Sequence, residues 1–203
     1  MSESPHVWEP PPSVRAAGER ARVRYQFAAA TAPGEQRSPS ATLVALRDVL
    51  VRGVKGITSG GLVRDAARRV NASHDAHRAG IACDLMIRDD ATRAAVGDAV
   101  ANWLVLNAEA LGVQYVLWSM FEWSASSSGA RWERYTGENS HRDHVHFELG
   151  PEGVALGATE MTARASRLLY GAGSSLLAWL MGAALAVAGA VVLGPRIAAR
   201  WGA

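Results

Sequence analysis

Apolar residues recur along this chain at two periods, and the changes of period mark the expected elements. Leu43, Leu46 and Leu50 follow Ser40 at helical spacing, with Val44 and Val51 widening the apolar face. That pattern predicts a helix capped by Ser40 and ended by Gly53. Val54 to Thr58 reads as a short strand, Ser59-Gly60-Gly61 as a turn, and Leu62 to Val70 as helical or irregular. Ile81 to Ile87 has the short, largely apolar run of a strand. Asp89-Asp90 then offers a cap for one long helix, Ala91 to Leu111, closed by Gly112. Its Val96, Val100, Trp103, Leu104 and Ala108 form a core-facing stripe. Val113 to Trp118 reads as a buried strand, Ser124 to Asn139 as a Ser/Gly-rich loop, and His144 to Leu149 as the last strand. Helices and strands that do not alternate regularly predict an α+β domain, a small antiparallel sheet with flanking helices.

The two ends differ from this middle. Residues 1–38 are rich in proline, glycine, serine and charge, and read as a flexible arm. They lack the apolar run of a secretory signal. Residues 39–150 form the expected domain and 151–167 a linker. From Gly173 to Leu193 there are 21 residues without a charge. At about 1.5 Å per residue such a helix spans roughly 30 Å, the hydrocarbon thickness of a bilayer. A transmembrane helix is therefore expected over 168–195, with a short basic tail over 196–203. This predicts a single-pass protein anchored at its C-terminus. Arginines flank both ends of the span, so charge does not choose a side. Gly182, Ala186 and Ala190 repeat at spacing four and offer a weak homodimer contact between such helices.

Composition narrows the chemistry. A chain of 203 residues predicts one core plus extras. A net charge of +2 with scattered arginines argues against nucleic acid as a partner. A single cysteine, Cys83, excludes both an intrachain disulfide framework and a Cys-rich zinc finger. Metal chemistry would have to rest on His, Asp and Glu.

Those residues are clustered. Five of the six histidines fall in His74-Asp75-Ala76-His77-Arg78-Ala79-Gly80-Ile81-Ala82-Cys83-Asp84 and His141-Arg142-Asp143-His144-Val145-His146-Phe147-Glu148. Imidazoles with carboxylates suit a three-ligand zinc site with an open fourth position. Strand alternation puts Ala82 and Asp84 on one face and Cys83 on the other. It also puts His144, His146 and Glu148 together, and Asp143 joins them only from a turn before the strand. Glu148 reads as a partner for a strand neighbour, Trp118, Trp123 and Trp132 as buried aromatics, and Arg78 and Arg142 as solvent-facing.

The pattern His77-x-x-Gly80-x-Ala82-x-Asp84, followed by Asp143-x-x-His146, resembles the metal-binding signature of D-Ala-D-Ala carboxypeptidase/endolysin-type zinc metallopeptidases. These belong to the wider LAS group, which shares its fold with Hedgehog-type domains, and His144-x-His146 is the form typical of that group. The resemblance covers roughly residues 40 to 150. It implies a Hedgehog/DD-peptidase-like fold, with Zn²⁺ held by His77, Asp84 and His146. Asp143 would be the general base and His144 a hydrogen-bonding partner, a role His141 could share. It further implies hydrolysis of peptidoglycan stem peptides or cross-bridges. Two residues depart from the signature. Asp75 stands where the family often has serine, and Arg64, the candidate substrate-binding arginine, is displaced from Ser59-Gly60. His74 reads as an exposed loop residue, because His77 has the required spacing to Asp84. Two other readings share the metal: a non-catalytic zinc-containing wall-binding module, and a phage-type lysis enzyme.

Overall fold

A computed structural model describes residues 6–28, 37–62, 75–126 and 129–171. These form helices α1 (Pro12–Arg20), α2 (Ala41–Gly53), α3 (Arg93–Leu106), α4 (Ala108–Leu111), α5 (Pro151–Ala155) and α6 (Ala158–Tyr170). The strands are β1 (Ile57–Gly61), β2 (Ala82–Ile87), β3 (Val113–Trp118), β4 (Phe121–Ser124), β5 (Trp132–Arg134) and β6 (His144–Leu149). They make one sheet in the order β1-β2-β6-β3-β4-β5, every neighbouring pair antiparallel. The α+β class with an antiparallel sheet is as the patterning predicts.

The sheet has two unlike faces. Toward the helices point Cys83, Leu85, Val145, Phe147, Leu149, Val116, Trp118 and Trp123, all buried. They pack with Leu43, Leu46 and Leu50 of α2 and with Val100, Trp103 and Leu104 of α3 in one core. The opposite face carries Asp84, His146, Glu148 and Tyr115, fixed there by the register Asp84↔His146 and Tyr115↔Glu148. Alternation therefore separates an apolar core from a polar working face.

Local chemistry explains several element ends. Ser40 Oγ accepts a hydrogen bond from the Leu43 N–H at 3.2 Å and starts α2. Gly112, at φ +64, closes α4 in the left-handed conformation. The single long helix expected over 91–111 begins at Arg93 and is interrupted at Asn107, whose side-chain amide donates to the Trp103 carbonyl. That bond offers the backbone a competing partner.

Several expectations need correction. Ser59, Gly60 and Gly61 are strand residues of β1, not a turn, and β1 begins at Ile57 rather than at Val54. A Cβ on Gly60 would collide with the Arg47 side chain, so its glycine serves close approach. The loop expected over 124–139 contains β5. Residues 6–28 are no arm. Trp8 is fully buried and its Nε1–H donates to Asn102 Oδ1 at 3.0 Å, while Val14 and Val23 join the core. The linker expected over 151–167 is α5 and α6, and α6 packs Met161, Ala165 and Leu169 against the core. Leu168, Leu169 and Tyr170 lie in α6 and Gly171 caps it, whereas residues 172–195 of the expected membrane span, including Gly182, Ala186 and Ala190, lie outside the described residues. No helix among the described residues is long and apolar enough to cross a membrane.

Candidate metal centre

Two segments bring the donors together. A turn over residues 75–81 carries His77. Asp75 Oδ1 accepts from the Arg78 N–H at 3.1 Å and its carbonyl accepts from the Ala79 N–H, which closes the turn. Gly80, at φ +74, sits against the Ser38 carbonyl, where a Cβ would collide. Its own carbonyl accepts from the Ser40 N–H at 2.9 Å, tying the turn to the start of α2. Asp75 thus shapes the loop that presents His77.

The sheet supplies the rest. His77 Nε2 lies 3.2 Å and His146 Nδ1 2.8 Å from the same atom, Asp84 Oδ1. One donor atom from each of the three residues lies within 4.8 Å of the others. Both histidines are buried, and Asp84 is half-buried. Burial pushes the Asp84 carboxyl up, but the hydrogen bonds and charge of His146 and His77 outweigh it and hold the group far below the usual carboxylate range. Burial disfavours charge on His146, yet Asp84 and Glu148 raise its pKa from the usual 6.5 to about 9.

Two imidazoles and a carboxylate converging on one point are a donor set that fits Zn²⁺ with room for a fourth ligand. The surrounding bonds fit as well. His146 turns its other nitrogen, Nε2, toward Glu148 Oε1 at 3.4 Å, the carboxylate arrangement that orients a metal-binding histidine. Glu148 is therefore the strand-face partner that alternation predicts.

Asp143 lies in the bend before β6, as its joining the site requires, and its side chain is 59 % exposed. Asp143 Oδ1 is 2.7 Å from His144 Nδ1, and His144 Nε2 is 3.7 Å from Asp84 Oδ1. His144 thus stands between Asp143 and the donors. His141 completes the wall, with its ring 4.7 Å from that of His144 and 5.9 Å from that of His146. Its Nδ1 donates to the Asn139 carbonyl at 2.7 Å, which leaves Nε2 as an acceptor. Burial, with His146 and His144 nearby, lowers its pKa to about 4. A backbone φ of +48 holds His141 in place, a strained value for a non-glycine residue.

Cys83 points into the core on the far face, where burial, then Asp84, pushes its thiol pKa up. It takes no part in the site. Arg64 and His74 lie outside the described residues. Tyr115 is a site residue that sequence reasoning missed. Its ring is 5.9 Å from that of His146, and its hydroxyl donates to Glu122 Oε2 at 2.5 Å. Only the alternation of Tyr115 with the core-facing Val116 and Trp118 could have signalled it. A cleft of about 530 Å³ lined by Trp8, Pro10, Arg15, Phe121 and Arg134 contains none of the metal donors.

Fold and donor set together define an α+β domain carrying a candidate three-ligand metal centre on the open face of its sheet. By sequence the chain belongs to the family described as VldE, C-terminal domain, whose profile matches residues 35–146, more than half its length. No curated protein and no solved structure matches it significantly.

Proposed function

We propose that this protein is a zinc-dependent peptidase that hydrolyses peptide bonds in bacterial peptidoglycan, its stem peptides or cross-bridges. The observation that carries this reading is the convergence of His77, Asp84 and His146 beside the hydrogen-bonded pair Asp143–His144. Such a pair supplies what hydrolysis needs beyond a metal, whereas a purely structural site needs neither a base nor an open position. In this reading the fold is of the Hedgehog/DD-peptidase kind. The uncharged run 173–193, which closely follows α6, attaches the domain to a membrane.

His77, Asp84 and His146 would hold the ion, which when bound would supply Lewis acidity toward the scissile carbonyl and a water. Asp143 takes a proton from the attacking water on its carboxylate and returns it to the leaving nitrogen. The C–N bond breaks as the new C–O bond forms, so one water is consumed for each amine and carboxylate released. His144, held by Asp143 through Nδ1, keeps its ring oriented with Nε2 toward the reacting centre. His141, with Nδ1 tied to a carbonyl, presents a neutral Nε2 acceptor to the same space.

Mass spectrometry of purified peptidoglycan incubated with the zinc-loaded full-length protein tests the proposal. New amino and carboxyl ends are expected from the wild type. Asp143→Asn should keep its zinc and lose about 100- to 10,000-fold in rate. Bound zinc with no cleavage of any wall peptide would contradict the peptidase and favour a non-catalytic wall-binding module.

A further inference from the structure

A run of hydrogen bonds connects the N-terminal segment to the candidate metal ligands. The Gln26 N–H donates to Gln114 Oε1 at 3.0 Å, and the Gln26 carbonyl accepts from Gln114 Nε2 at 3.1 Å. The same Nε2 donates to Glu148 Oε2 at 3.0 Å. Glu148 Oε1 in turn lies 3.4 Å from His146 Nε2, and His146 Nδ1 faces Asp84. Gln114 is fully buried, and its two partners determine which way its amide points.

Gln114 reaches this place because the β3–β6 ladder loses register between Val113 and Tyr115. In a regular strand Gln114 and Tyr115 would face opposite sides. The irregularity lets both address Glu148, Tyr115 as its register partner and Gln114 through its amide. A buried carboxylate keeps one orientation only while its oxygens have fixed partners, and here the amide is itself clamped on the backbone of residue 26. Residues 6–28 precede the span matched by the family, 35–146.

We propose that Gln114 is a positioning residue for the metal ligand His146, acting through Glu148, and that the N-terminal segment around Gln26 is thereby part of the metal centre. The inference rests on the metal-binding half of the reading above and is independent of the substrate.

The test is equilibrium titration of the metal-free full-length protein with Co²⁺ and Zn²⁺, with the Co²⁺ absorption spectrum and the melting temperature read alongside. Gln114→Met keeps length and volume but loses the amide. It should bind both metals about 10- to 100-fold more weakly, with an altered Co²⁺ spectrum. Glu148→Gln should weaken binding to a similar extent. Because Gln114 acts through Glu148, adding Gln114→Met to Glu148→Gln should cost little more affinity. A lower melting temperature with unchanged metal affinity and spectrum would reduce Gln114 to a structural clamp and overturn the inference. Full additivity of the two substitutions would overturn it as well. If Gln114→Met does not fold, Glu148→Gln reads the same link, and unchanged affinity there is equally contradictory. A wild type that binds neither metal would defeat this inference and the proposed function together. A wild type that binds as well as its variants defeats this inference alone.

Discussion

His146 and Asp84 are direct register partners across β6 and β2, and His146 Nδ1 lies 2.8 Å from Asp84 Oδ1. The candidate metal centre is thus written into a strand pairing. Slipping β2 by one residue would carry Asp84 into the core and bring Cys83 to the working face. The apolar partners Leu85↔Val145 and Cys83↔Phe147, all buried, hold the register that keeps the two donors together. His77 arrives from outside the sheet, which explains why its turn is stapled to the start of α2.

That pair makes metal uptake pH-dependent. In the metal-free protein the His146 pKa is raised to about 9, so the ion must displace its proton at neutral pH. Apparent zinc affinity should rise about tenfold per pH unit between pH 7 and 9, then level off. Metal-free stability runs the other way. The raised His146 pKa contributes stability that is fully present below about pH 6.5 and lost as pH rises through about 9. The depressed Asp84 contributes stability present above the ordinary carboxylate range and lost only as pH falls through its low folded value. Calorimetry in buffers of different ionisation enthalpy should find about one proton released per zinc at pH 7.5. Affinity that does not change between pH 7 and 9 would contradict this.

Trp8 makes residues 6–28 part of the fold. Its indole is fully buried, packs edge-on to Phe121 and Trp132, and donates to Asn102. Trp8→Ala should cost about 3–5 kcal/mol in urea denaturation. A loss below about 1 kcal/mol would mean the segment is a loosely held arm after all.

The sequence makes the centre of the sheet legible and its margins obscure, for reasons particular residues show. Strands β2, β3 and β6 sit in mid-sheet, so Leu85, Val116 and Phe147 carry clear apolar signals. Strands β4 and β5 are short and lie toward the edge, and Trp123 and Trp132 there alternate with the polar Glu122 and Glu133. Trp8 is missed because a single aromatic among prolines carries no period. Helix α6 is missed because its buried residues, Met161, Ala165 and Leu169, are few and lie among charged ones. In the site, strand alternation shows locally that Asp84 faces away from Cys83 and that His144, His146 and Glu148 share a face, but the set His77, Asp84 and His146 is legible only through the resemblance to a metal-binding signature. The link from Gln26 through Gln114 to Glu148 joins distant segments through a break in register. No sequence period records that.

The central claim is that His77, Asp84 and His146 form one zinc site, and equilibrium zinc titration of the full-length protein tests it most directly. One zinc per chain is predicted for the wild type, with binding lost in Asp84→Ala and in His146→Ala while the sheet's circular dichroism persists. A folded wild type that takes up no zinc, or an Asp84→Ala protein that binds it with unchanged affinity, would contradict the account.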